Sequence, residues 1–119
     1  MAFTADLEII KDSFVKITLS GELDGATAAD FKTKVEEAAA KNPKKLFLMM
    51  QDLEFMASAG LRVLIFAKQK MGTDVNIYMI GVQDTVKKTI EKTGFDKSVY
   101  LLDQVYLLDQ DKYENKIEA

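Results

Sequence analysis

The stretch best placed to carry chemistry is EFMASAGLRVLIF, residues 54 to 66, in which Ser58 stands between Ala57 and Ala59 and ahead of Gly60. Small neighbours leave its hydroxyl within reach of another macromolecule. Other reactive groups are scarce. The chain has no histidine and no cysteine, which removes the usual general base, the thiol nucleophile, disulfides and thiolate metal sites. An enzyme here would have to work with carboxylates, lysines or hydroxyls, and no spacing recommends a set of them. Paired carboxylates such as Glu36-Glu37 sit on a stretch that reads as a solvated helix face. The six glycines are scattered and form neither a phosphate loop nor a dinucleotide fingerprint. No metal and no cofactor are expected.

Two readings of Ser58 follow from its position where a strand gives way to a helix. At or near the N-cap its hydroxyl can accept an orphan backbone N–H. The same helix end favours negative charge, so a phosphate on Ser58 would suit its own helix while adding up to two charges to the surface.

The elements that must position this serine can be read from pattern. Phe3, Ala5, Leu7 and Ile9 alternate with more polar residues, and Phe14, Val15, Ile17 and Leu19 follow the turn-like Lys11-Asp12-Ser13, which predicts two adjacent strands. Gly21 and Gly25 read as loop points, Thr27 as a helix cap, and Phe31, Val35 and Ala39 as one face of a first helix stopped by Asn42-Pro43. Leu46 to Met50 is an apolar run expected of a central strand covered on both faces. A second helix, Ala59 to Met71, turns Leu61, Leu64, Ile65 and Lys68 to one side and ends at Gly72. Val75 to Ile80 is the next strand, Thr85 to Thr93 a third helix and Val99 to Leu102 a short last strand. The strand, helix, strand unit from Leu46 to Ile80 has the size of a right-handed parallel crossover. The direct repeat YLLDQVYLLDQ, Tyr100 to Gln110, is a duplicated strand edge or simple packing, and the charged DKYENKIEA at the end reads as a frayed helix.

Composition sets the outer limits. At 119 residues, 48% hydrophobic and 29% charged, the chain fits a single domain over 1–119 that buries roughly two-thirds of its unfolded surface. Its apolar runs are too short to span a bilayer, and no secretory signal opens it, so a cytoplasmic protein is expected. A net charge of −3, from 16 basic and 19 acidic residues, lacks the basic footprint of a nucleic-acid binder. The expected partner is a protein.

Three segments together carry a resemblance. LSGELDGATAADFKTKVEEA, LFLMMQDLEFMASAGLRVLIFAKQKM and VNIYMIGVQDTVKKTIEKTGFDKSVYLL are similar to the STAS domain, in particular to bacterial anti-sigma factor antagonists. The likeness covers about residues 5–103, leaving 104–119 as a C-terminal extension. It rests on Gly21-Glu22-Leu23-Asp24 after one strand, on Phe55-Met56-x-Ser58-x-Gly60-Leu61 after another, and on Thr93-Gly94-Phe95. It implies an α/β fold, a mixed sheet of four to five strands with helices mainly on one face. It also implies a non-enzymatic module of a partner switch, in which the serine is phosphorylated by an anti-sigma, serine kinase-like partner and restored by a phosphatase. The family phosphoserine maps onto Ser58 and the acidic loop residue onto Asp24, which also reads as a turn residue. Two departures stand out: Ala57 where the family usually has aspartate, and Met49 where it often has aspartate or asparagine. Both are expected to make the surroundings of Ser58 more apolar.

The docking surface expected from this resemblance comprises Asp24, an exposed Met56, Ala57, Ser58, Ala59, Gly60 and Arg62, with the second helix behind them. A constitutive scaffold that binds without phosphorylation, and a small nucleotide- or metabolite-binding sensor, are the competing functions.

Overall fold

A computed structural model of the chain describes residues 3–11, 13–72 and 74–102. The second copy of the YLLDQ repeat and the closing DKYENKIEA lie outside the described residues. Five strands form one sheet in sequence order: β1 (Thr4–Lys11), β2 (Phe14–Leu23), β3 (Lys45–Met56), β4 (Asn76–Ile80) and β5 (Tyr100–Leu102). β1 pairs antiparallel with β2, and β2, β3, β4 and β5 run parallel. The parallel crossovers are made by α1 (Ala28–Ala40), α2 (Ser58–Met71) and α3 (Asp84–Lys92), the last followed by a 3-10 turn at Phe95–Lys97 that the sequence pattern did not signal. β3 and β4 are adjacent, as the apolar runs require, with α2 between them in the chain.

Side-chain alternation divides the sheet into two faces. Val15, Ile17 and Leu19 of β2, Leu46, Leu48 and Met50 of β3 and Ile77 and Met79 of β4 meet Phe31, Val35 and Ala38 of α1, Leu61, Leu64 and Ala67 of α2, and Val86 and Ile90 of α3. α1 therefore buries Ala38 rather than Ala39, because 3.6 residues per turn returns the face at the seventh residue after Phe31. Ile65 of α2 is 37% exposed and does not join Leu61 and Leu64 in the core. Phe14, Phe47, Tyr78 and Ile80 occupy the opposite face.

β3 is longer than its apolar run. Its pairing with β2 shifts twice, between Thr18 and Ser20 and between Gly21 and Glu22, and each shift inserts one extra residue into β3. Met50, Leu53 and Met56 consequently all face the core at three-residue spacing, where an undistorted strand would alternate. Gly21, expected as a loop point, lies inside β2 at the second shift with φ 88°, a conformation costly for any other residue. β4 ends at Ile80, so the last stretch of β3 has lost that neighbour. Gln83 Nε2 donates to the carbonyl of Gln51 at 2.7 Å and Thr85 Oγ1 to that of Glu54 at 3.3 Å, replacing ladder bonds at the bulged strand.

Leu48 is fully buried in a row between Ile17 and Met79. Leu48→Ala is expected to lower unfolding free energy by about 3 kcal/mol, from lost burial plus the cavity left behind, read as a shifted denaturant midpoint at unchanged slope.

Candidate functional site

The site grows out of the far end of the β2 and β3 pair. Leu23 is opposite Met56, and the Ala57 amide donates to the Leu23 carbonyl at 2.8 Å, carrying the pairing one residue further. Both chains then leave the sheet. One enters the loop from Asp24 to Thr27 and the other starts α2 at Ser58, so the Asp24 and Ser58 segments share one end of the sheet.

Asp24 organises its own loop. Its Oδ1 accepts from the amides of Ala26 at 2.9 Å and Thr27 at 3.1 Å, while its backbone N–H donates to Thr27 Oγ1 at 2.9 Å. Thr27 Oγ1 lies 3.0 Å from the Glu22 carbonyl and 3.2 Å from Asp24 Oδ1, and its single proton serves one of them at a time. The Asp24 carbonyl takes the amides of Thr27 and Ala28. Thr27 stands at the cap position of α1, yet its hydroxyl points back into the turn and makes no cap bond to the helix. The turn role of Asp24 is therefore built from its carboxylate, amide and carbonyl, all bonded within residues 24–28.

Ser58 is the first residue of α2, and the N-cap is Ala57, in extended conformation and with no side chain to cap the helix. The expected Ser58 cap bond is not formed. Its hydroxyl is exposed and has no hydrogen-bond partner among the described residues. The helix starts on backbone bonds alone, from the amides of Gly60 and Leu61 to the Ala57 carbonyl at 3.0 and 3.2 Å. The first turn of α2 holds no acidic residue. Arg62, exposed and without an ion pair among the described residues, follows Ser58 by four positions and so lies on the same helix face.

Of the residues expected to form a docking surface, Ser58 and Arg62 are exposed and Asp24, Ala57 and Ala59 are half-buried. Met56 and Gly60 are buried, which corrects the expectation of an exposed Met56 anchor: its side chain is only 4% accessible. Met56 lies on the core side, as plain alternation from Met50 also gives because the two bulges cancel in parity, and Phe55 next to it is 47% exposed beside the serine segment. Phe55 is the large apolar residue exposed at this end of β3. Met49 is also misplaced by the sequence reading. It pairs with Thr18 and Ile80 on the sheet face opposite the helices, about 23 Å of strand away from Met56. Its apolar side chain has no part in the surroundings of Ser58.

Gly60 explains how α2 is held. A Cβ there would lie 2.6 Å from Leu23 Cγ, 2.7 Å from Leu23 Cδ2 and 3.0 Å from Met56 Cγ, and both neighbours are buried. Only a residue without a side chain lets the helix sit this close to the strand ends.

The model of the STAS domain matches residues 5–108. The chain belongs to the STAS domain family. This STAS domain is 28% identical over 90 residues to the anti-sigma-F factor antagonist RsfB of Mycobacterium tuberculosis, covering 76% of this chain and 74% of that protein. It superposes with a TM-score of 0.77, at 26% identity, on an anti-sigma factor antagonist from Mycobacterium paratuberculosis, over 85% and 86% of the two chains. The phosphorylated form of SpoIIAA from Bacillus shares the fold at a TM-score of 0.74 and 19% identity, over 92% and 99%. Homologues and structural neighbours of this STAS domain are thus anti-sigma factor antagonists. No described helix is long and apolar enough to cross a membrane.

Two substitutions test the geometry. Gly60→Ala is expected to cost about 1–3 kcal/mol by overpacking, with much of the loss recovered when Leu23→Ala is added, as a double-mutant cycle in denaturant would show. Asp24→Ala is expected to cost about 1 kcal/mol through the lost turn acceptor, whereas Asp24→Asn, which keeps an acceptor oxygen, holds most of that stability in the same melt.

Proposed function

We propose that this STAS domain is a non-catalytic protein-binding switch that captures an anti-sigma, kinase-like partner through the end of the sheet where Asp24 and Ser58 meet. Phosphorylation of Ser58 by that partner releases it, and a phosphatase resets the switch. The observation that carries this reading is Ser58 itself: an exposed hydroxyl, without a hydrogen bond among the described residues, on the first residue of a 14-residue helix. A serine retained only to cap α2 would spend its hydroxyl on a backbone amide. Ser58 does not.

The surroundings favour the charge that the switch adds. A phosphoserine carries about −1.5 to −2 at neutral pH, and the positive end of α2 stabilises negative charge. Arg62, one turn along, is close enough in sequence to pair with the phosphate. The domain therefore accepts the modification at little cost to its own fold. A partner seated on the unmodified surface meets small Ala57 and Ala59, a hydroxyl, and the exposed Phe55 as an apolar anchor. After phosphorylation it must instead desolvate a hydrated dianion. The relatives named as anti-sigma factor antagonists, and the phosphorylated form in which SpoIIAA is known, lend support to the choice of partner and of modification.

Ser58→Glu is expected to weaken binding to the partner, isolated by co-purification from the native cell, at least tenfold, about 1.4 kcal/mol, while Ser58→Ala keeps it. Calorimetric titration beside a thermal melt checks this. Equal affinities for two folded variants would leave a constitutive scaffold in place of a switch.

A further inference from the structure

β1 is an edge strand whose outer side the switch does not use. Its pairing with β2 occupies one side, and among the described residues no strand lies on the other. Alternate residues of an antiparallel strand turn both N–H and C=O away from their partner, so this outer side presents a row of backbone donors and acceptors with no ladder to join. The register with β2 holds from Thr4 to Ile9 and shifts only beyond it. At strand rise that regular stretch is about 20 Å long.

The edge has a different character on each face of the sheet. On the helix side Phe3, Ala5 and Leu7 are half-buried against the core, and Ile9, opposite the buried Val15, continues their row while 53% exposed. α1 packs against β1, and an open groove of about 370 Å³ lies between them, walled by Phe3, Ala5 and Asp6 on one side and by Asp30, Thr33 and Lys34 on the other. Asp6 and Glu8 alternate with the apolar row and stand on the opposite face. The ion pairs of this region engage Glu8 with Lys16 and Glu37 with Lys34, both at 3.3 Å. Asp6 and Asp30 are exposed and have no ion pair among the described residues. The groove thus carries two uncompensated carboxylates beside an open strand edge.

We propose that the outer edge of β1 receives, as an added strand, an extended segment of a partner protein in which apolar and cationic residues alternate. Paired to β1, such a segment lays its apolar side chains along the groove beside Phe3, Ala5 and Leu7 and covers Ile9, while its cations stand next to Asp6 on the other face. Asp30, on the helix wall of the groove, takes a cation that flanks the apolar residues. Main-chain bonds supply the affinity, and the alternation supplies the choice of partner. A second copy of the chain is a poor occupant. Two β1 strands joined antiparallel with one continuous helix face set residues of like parity opposite one another, and the two registers that pair the most residues place Asp6 against Glu8 or Glu8 against itself. The carboxylates that repel a copy therefore select a basic partner. Neither Ser58 nor Arg62 takes part, so this surface works whether or not Ser58 is phosphorylated.

The probe is a capped peptide alternating valine and lysine, titrated into the isotopically labelled full chain. Amide shifts are expected to be confined to β1 and the facing turns of α1, and a peptide alternating valine and glutamate should bind about fivefold more weakly or worse. Asp6→Asn with Asp30→Asn should remove most of that difference and leave the thermal melt unchanged. Two further peptides, N-methylated at every valine or at every lysine, keep side chains and charge but lose the backbone donors of one edge, and at least one of them should lose binding. Undiminished binding by both would mean charge attraction without strand pairing and would overturn the proposal. So would absent binding of the parent peptide, or shifts centred on the Ser58 turn. Cross-peaks between the β1 strands of differently labelled chains would overturn it in favour of a dimer.

Discussion

The approach of α2 to the end of β2, made possible by the missing side chain at Gly60, is the constraint on which the functional end of this molecule depends. It seats the first turn of the helix on Leu23 and Met56, so the strand pair, the Asp24 turn and the Ser58 turn are fixed relative to one another. Ser58 owes its exposure to this seating. With the body of α2 pressed onto the sheet, its first residue projects past the strand ends. The turn beside it is rigid for a separate reason, because Asp24 and Thr27 satisfy each other's polar groups locally.

Much of this was legible in the residues. The apolar run from Leu46 to Met50 could only be a central strand, the break at Ala57 to Gly60 placed the start of α2 within one residue, and the family segments around Asp24 and Ser58 pointed to one end of a mixed sheet. What failed was fine register. Strict alternation cannot foresee the two extra residues in β3, which bring Leu53 onto the core face with Met50 and Met56, and Met56 was misjudged because the strand continues past its apolar run through the polar Gln51 and Asp52. Met49 was misjudged because distance along a strand is invisible when only neighbouring motifs are compared. Ile65 looked like part of the α2 stripe at four-residue spacing from Leu61, but it falls at the margin of the buried arc.

The two faces of the sheet follow different logic. On one, three helices bury aliphatic rows by shape. On the other, flat rings lie side by side along a register row, and a lysine stem is folded in with them. Stacked rings and an ammonium over a ring have directional preferences that aliphatic packing lacks, so this face adds orientation as well as burial.

The order of the strands across the sheet is the order in which they are synthesised. Each new strand can join the edge left by the one before, without waiting for a later segment to be inserted between them. The β1 and β2 hairpin closes over a short sequence separation, and each subsequent crossover adds one helix and one strand to an existing template. Such a topology suits growth from the ribosome, where segments appear one at a time. It also leaves β3, the central strand of the sheet, with a naked edge until β4 emerges, so the interval between Met56 and Asn76 is the stage of synthesis most open to mispairing with another chain.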